Sequence, residues 1–162
     1  MKFFNSTLAL AMLSFGTVAA VATIGQAHEP HHTIIEADQV QWGPAPPSLP
    51  PGAQAAALLG GPAKEGPFVI RLKFPAGFVV PPHRHSKDEL VTVISGRFLI
   101  SSGETMDRAA MKGLAPGSFV HLPAGMPHYA AANGETVVQI NGMGPFDVVY
   151  IDPNDDPRKK TN

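Results

Sequence analysis

The chain has 162 residues, 44% hydrophobic and 15% charged, the balance of a globular domain and not of a disordered or fibrous one. Twelve basic against thirteen acidic side chains leave a formal charge of −1 with no Lys/Arg cluster long enough to neutralise a run of phosphates, which excludes nucleic acid as an expected partner. With no cysteine, a disulfide framework and a thiolate metal site are both excluded, so any metal has to be held by histidine and carboxylate.

At the start, Lys2 precedes a chargeless apolar run over 8–24 that ends in Gly25-Gln26-Ala27 and gives way to His28-Glu29-Pro30. The run is short for a bilayer span and is broken by Ser14, Gly16 and Thr17. It reads as a secretory signal peptide, 1–27, cleaved after Ala27. A periplasmic or secreted location is expected, with no membrane attachment once the peptide is removed. His28, His31 and His32 then belong to a solvated tail.

Beyond the leader, 17 prolines and most of the 16 glycines punctuate short apolar runs, an all-β pattern. The expected organisation is an N-terminal extended segment with the first strands over 28–66, a barrel over 67–151 and a charged, fraying tail over 152–162. Strands are predicted at 33–36, 53–59, 68–74, 89–94, 97–101, 118–122, 129–131, 136–141 and 146–151. Residues 43–51, rich in proline, predict an extended surface segment. The runs 90–94 and 97–100, joined through Ser95-Gly96, read as a hairpin, and 104–112 as about two helical turns on a loop. Many short strands in one small domain predict an antiparallel barrel or jelly roll.

Within 77–96, three potential ligands fall close together: His83, His85 and Glu89. Residues two apart on a strand share a face, so His83 and His85 can converge while Arg84 points away; Ser86-Lys87-Asp88 then turns the chain and brings Glu89 alongside in a hairpin. A fourth ligand is available at His128, the first side chain after the turn fixed by Pro123, Gly125 and Pro127. Three imidazoles and a carboxylate suit one divalent transition metal: Fe, Mn, Zn, Ni, Cu or Co. His121 reads as a surface or structural residue, Asp152 to Asp156 as a solvated run and not a calcium loop, and Trp42, Phe68, Phe98, Phe119, Tyr129 and Phe146 as core or interface packing.

Gly77, His83, His85, Glu89 and Gly96 keep the spacing Gly, five residues, His-x-His, three residues, Glu, six residues, Gly. Gly117, Pro123, Gly125 and His128 keep Gly, five residues, Pro-x-Gly, two residues, His. In these two motifs the chain resembles the cupin superfamily, over roughly 68–151. Ala132 stands where the second motif has Asn, with Asn133 one place late, a departure at a position that is not a ligand. The resemblance implies a six-to-eight-stranded antiparallel jelly-roll barrel with its metal inside one end, of the small exported single-domain kind.

Cupins carry many reactions, so the fold name does not choose one. The leading expectation is an iron- or manganese-dependent dioxygenase or related oxidoreductase acting on a small oxygen-rich molecule. The alternative is a binding module, a sensor or carrier of metal or small ligand; a third reading is a barrel serving only as an interaction surface. Glu89 has two open roles, ligand or base toward substrate; beyond it no catalytic residue is assigned. A homodimer paired through sheet edges is a reasonable partner state.

Overall fold

A computed structural model describes residues 32–160; the expected signal peptide, His28 and His31 lie outside the described residues, and His32 is exposed. Numbered in chain order, the strands are β1 (Gly43–Pro44), β2 (Gln54–Leu59), β3 (Gly66–Phe74), β4 (Val79–Arg84), β5 (Glu89–Ser95), β6 (Phe98–Ser102), β7 (Lys112–Leu114), β8 (Phe119–Leu122), β9 (His128–Ala132), β10 (Thr136–Gly144) and β11 (Val149–Tyr150). They form two antiparallel sheets, one of six strands ordered β1-β2-β3-β10-β5-β8 and one of five ordered β11-β4-β9-β6-β7. This is the expected all-β antiparallel jelly roll. The two sheets share no ladder, so the barrel is a sandwich that does not close by hydrogen bonds.

The long strands form because their apolar residues recur with period two. On β3, Phe68, Ile70, Leu72 and Phe74 turn inward while Val69, Arg71 and Lys73 lie in the outer, partly exposed row. Val91 and Val93 of β5 and Val138 and Ile140 of β10 extend the same inner face, and Val80, Phe98, Ile100 and Ala130 supply the opposite one. The outer row is partly covered as well: Lys73 places its ammonium 4.3 Å from the centre of the Trp42 ring.

Several expectations fail, each for a local reason. The run 90–100 is not a hairpin: β5 pairs with β10 and β8, whereas β6 pairs with β9 and β7 in the other sheet. Two inward-facing strands from opposed layers carry the same alternation as two from one layer. At the crossing, Gly96 has φ +76° and sits where a Cβ would collide with the Glu135 carbonyl and Thr136. Residues 33–36 form no strand and are followed by a single 3-10 turn, Ala37–Gln39. The predicted helix shrinks to one 3-10 turn, Arg108–Ala110, capped by the Asp107 side chain accepting from Ala109 N at 2.9 Å, and the chain then enters β7. Only Val149–Tyr150 of 146–151 is strand.

The tail does not fray before residue 160. Two Asp-Pro steps start 3-10 turns at Pro153–Asp155 and Pro157–Lys159, with Asp152 and Asp156 as caps. The Arg158 guanidinium donates to both Asp156 oxygens, at 2.8 and 2.9 Å, and to the Val148 carbonyl at 2.8 Å, which ties the tail to the segment before β11.

Candidate metal centre

The end of β4 carries His83, with His85 just beyond it; β9 begins at His128 and β5 at Glu89. His83 and His128 are register partners across the β4/β9 ladder. Glu89 arrives from the opposite sheet, so the expected hairpin origin of the first three donors is also wrong: 85–88 is a crossing between layers. All four side chains are buried, at 5%, 5%, 7% and 2% exposure for His83, His85, Glu89 and His128, while Arg84 faces outward as expected. One ring nitrogen from each histidine lies within 4.8 Å of the other two. A Glu89 carboxylate oxygen is 3.4 Å from His85 Nε2 and 3.3 Å from His128 Nε2.

Backbone carbonyls decide which nitrogen faces the centre. His83 Nδ1 donates to the Pro81 carbonyl at 2.7 Å, His128 Nδ1 to that of Met126 at 3.0 Å, and His85 Nδ1 to that of Asp147. A carbonyl can only accept, so the proton of each neutral ring sits on Nδ1 and the Nε2 lone pair points inward. His85 Nε2 is buried without a hydrogen-bond partner. Three lone pairs and a carboxylate thus converge on one buried point, an arrangement that a cation would complement. The donor set and its tautomers fit a divalent transition-metal ion.

The titration behaviour of the bare site follows from the same crowding. Burial, with help from the neighbouring His128 and His85 rings, pushes the His83 imidazole down to about 3. Burial alone would raise Glu89, but the His128 and His85 rings outweigh it and pull the carboxyl down to about 2. His85 moves up in spite of burial because it faces Glu89. That attraction needs a protonated ring; with the rings neutral and their protons donated to the carbonyls, the Nε2 lone pairs face the carboxylate at 3.3 and 3.4 Å.

Supporting residues come from a part of the chain with no spacing signal. Besides its carbonyl on His85, Asp147 accepts from Ser86 N and Ser86 Oγ, both at 2.7 Å. Partial burial works against it, yet those two donors hold the Asp147 carboxyl below the usual carboxylate range. Phe146 stacks on the His85 ring, centroids 4.3 Å apart. The turn before His128 is fastened to the other motif, because Gly125 N donates to the His85 carbonyl at 2.8 Å and Ala124 N to Asp88 at 2.9 Å. His121 is exposed and meets Asp88 at 3.0 Å, a surface residue as expected.

The sequence over residues 33–159 matches a family described as a domain of unknown function, DUF4437. The chain belongs to that family. No curated protein matches this DUF4437 chain. Among solved structures it is similar to a putative acetylacetone dioxygenase from Methylibium petroleiphilum, with 18% identity, 81% of this chain and 88% of that one covered and a TM-score of 0.61. It is similar to the polyketide cyclase RemF from Streptomyces resistomycificus at 14% identity, covering 78% and 90%, with a TM-score of 0.61. An RmlC-like cupin from Shewanella frigidimarina matches at 14% identity over 70% and 91%, with a TM-score of 0.54. At these identities the likeness establishes the fold: the DUF4437 domain has the jelly-roll fold of a cupin.

Proposed function

We propose that this protein is an exported metal-dependent enzyme of the dioxygenase type, in which His83, His85, Glu89 and His128 hold one divalent ion, iron or manganese in preference. The observation that carries it is the convergence of three inward Nε2 lone pairs and one carboxylate on a single buried point. If bound, the ion would supply Lewis acidity and, for iron or manganese, electrons for dioxygen chemistry on a small molecule bearing two oxygens.

The chain's own residues do the positioning. The Pro81, Asp147 and Met126 carbonyls fix the three rings, and the apolar walls keep water out. Glu89 brings the negative charge that offsets the cation, or accepts a proton from the bound molecule; a Glu89→Ala variant that keeps metal but loses turnover selects the second role. Acetylacetone, named in the description of one similar structure, is a two-oxygen chelator and so a rational first probe. Export rests on the leader at 1–27.

The test is elemental analysis of protein purified without chelators, followed by oxygen uptake with acetylacetone and aryl diketones. About one equivalent of iron or manganese, lost in a His83→Ala/His128→Ala variant, with uptake that consumes the diketone, supports the proposal. Metal-free protein, or metal with no uptake, sinks it. One observation favours a binding module instead: besides the four donors, no ionisable side chain lines the cavity among the described residues. That reading predicts saturable binding of the same compounds without consumption.

A further inference from the structure

The cavity between the sheets has a volume of about 310 Å³, roughly twice the ~150 Å³ void that accommodates one benzene ring in an apolar protein core. The four donors form one wall. Phe74 and Phe98 line the far end, stacked at 6.4 Å, with Phe78 packed 4.9 Å from Phe74. Val138 and Ile140 of one sheet and Ile100 and Ala130 of the other close the sides. The remaining mouth is formed by the N-terminal segment at Pro46 and Leu49 together with Phe146 and Val148. Tyr150, whose ring is 5.9 Å from that of His83, donates its hydroxyl to the Ser48 carbonyl at 2.8 Å and fastens this rim.

Polar groups are confined to that one wall. Among the described residues, and apart from the four donors, Ser48 at the rim is the only lining residue with a polar side chain, and no Lys or Arg lines the cavity. His128 and Ala132 lie four residues apart on β9, and Ala132 pairs with Phe98, so the apolar interior runs about 13 Å from the donors to the aromatic end. A hydroxyl or carboxylate pushed into that interior would lose its water and find no partner. Aromatic or branched aliphatic surface placed there gains its full transfer free energy.

We infer that the site takes an uncharged, hydrophobic molecule of about two fused rings or equivalent bulk, its oxygen atoms confined to the end that meets His83, His85, Glu89 and His128. The inference deepens the function proposed above and rests on it only for which end of the molecule faces the donors. It narrows the oxygen-rich substrate expected from the sequence: sugars, sugar acids and other polyols are excluded by the walls.

The experiment has two arms. In the first, 2-naphthol is titrated into metal-free protein by fluorescence, with glucuronate as competitor. Saturable 2-naphthol binding that glucuronate does not displace is expected, weakened about tenfold or more by Ala130→Phe, which fills the cavity. Should Ala130→Phe lose its β circular dichroism, Ile140→Ala decides, since the enlarged cavity raises affinity for a three-ring phenol relative to 2-naphthol. In the second arm, Mn(II)-loaded protein binds benzoylacetone about tenfold or more tightly than acetylacetone, because the phenyl group enters the apolar interior. Absence of 2-naphthol binding, displacement by glucuronate, or equal affinity for the two diketones overturns the inference. The first arm needs no metal, so a chain that binds 2-naphthol but takes up no ion refutes the proposed enzyme while keeping the apolar site, and the converse result does the reverse.

Discussion

Asp147 acts on the metal centre from outside it, through its carbonyl on His85 and its carboxylate on Ser86. Asp147→Ala keeps the carbonyl but frees the loop that aims it, so metal affinity should fall about tenfold, measured by competition with a chromophoric chelator. Glu89→Gln separates fit from stability. At pH 8 a neutral amide can donate to the bare Nε2 lone pairs, so the metal-free variant should be about 1–3 kcal/mol more stable than wild type while binding metal far more weakly. A lower denaturation midpoint for metal-free Glu89→Gln would mean that a protonated imidazole holds the carboxylate. Tyr150 gives a cleaner pH signature. Burial, and next the nearby Asp156, push its phenol up to about 12. The folded state therefore holds this proton more tightly than the unfolded chain. That contribution is complete below pH 10 and is lost as the pH rises towards 12, so wild type should lose stability there and Tyr150→Phe should not, as followed by urea denaturation. At this scale the convergence of His83, His85, Glu89 and His128 is legible because their intervals within each motif are short and fixed. Asp147 is not, since it meets His85 across 62 residues and no local pattern marks a contact made by chain return.

The strands show what periodicity does and does not say. Alternation on β3, β5 and β10 separates the residues that turn inward from those that do not. It carries no information about which sheet an inward face belongs to, and so β5 and β6 were read as one hairpin. The crossing between them depends on Gly96, and Gly96→Ala should cost on the order of 2–3 kcal/mol through both its positive φ and the clash with Glu135. Chemical denaturation of the variant checks this, and a cost below ~0.5 kcal/mol would show that the crossing has slack. The short strands β1 and β7 escaped notice for another reason. They have two and three residues, and a pattern of period two needs more than that to be seen.

For the whole molecule, the C-terminal turns belong to the centre as much as to the surface. Arg158 holds the Val148 carbonyl, and the same segment carries Phe146 and Asp147. Truncation after Ile151 should therefore lower metal affinity about tenfold or more, although no donor is removed, because the support behind His85 is set loose. Unchanged affinity in a folded, truncated protein would show that β11 alone holds the segment. The sequence reading took this tail for a charged run without structure; composition does not reveal that its two Asp-Pro steps are caps and that its arginine has a carbonyl to reach.

Two imidazoles stand on one sheet, His85 lies just past its end, and the carboxylate stands on the other sheet, so an ion bound there would act as a clasp between layers. No such site exists in the unfolded chain, where His128 is remote from the first three donors, and none exists until the layers meet. Wherever this chain folds would then be where it selects an ion, and a metal found in it would record the compartment in which its two sheets first closed.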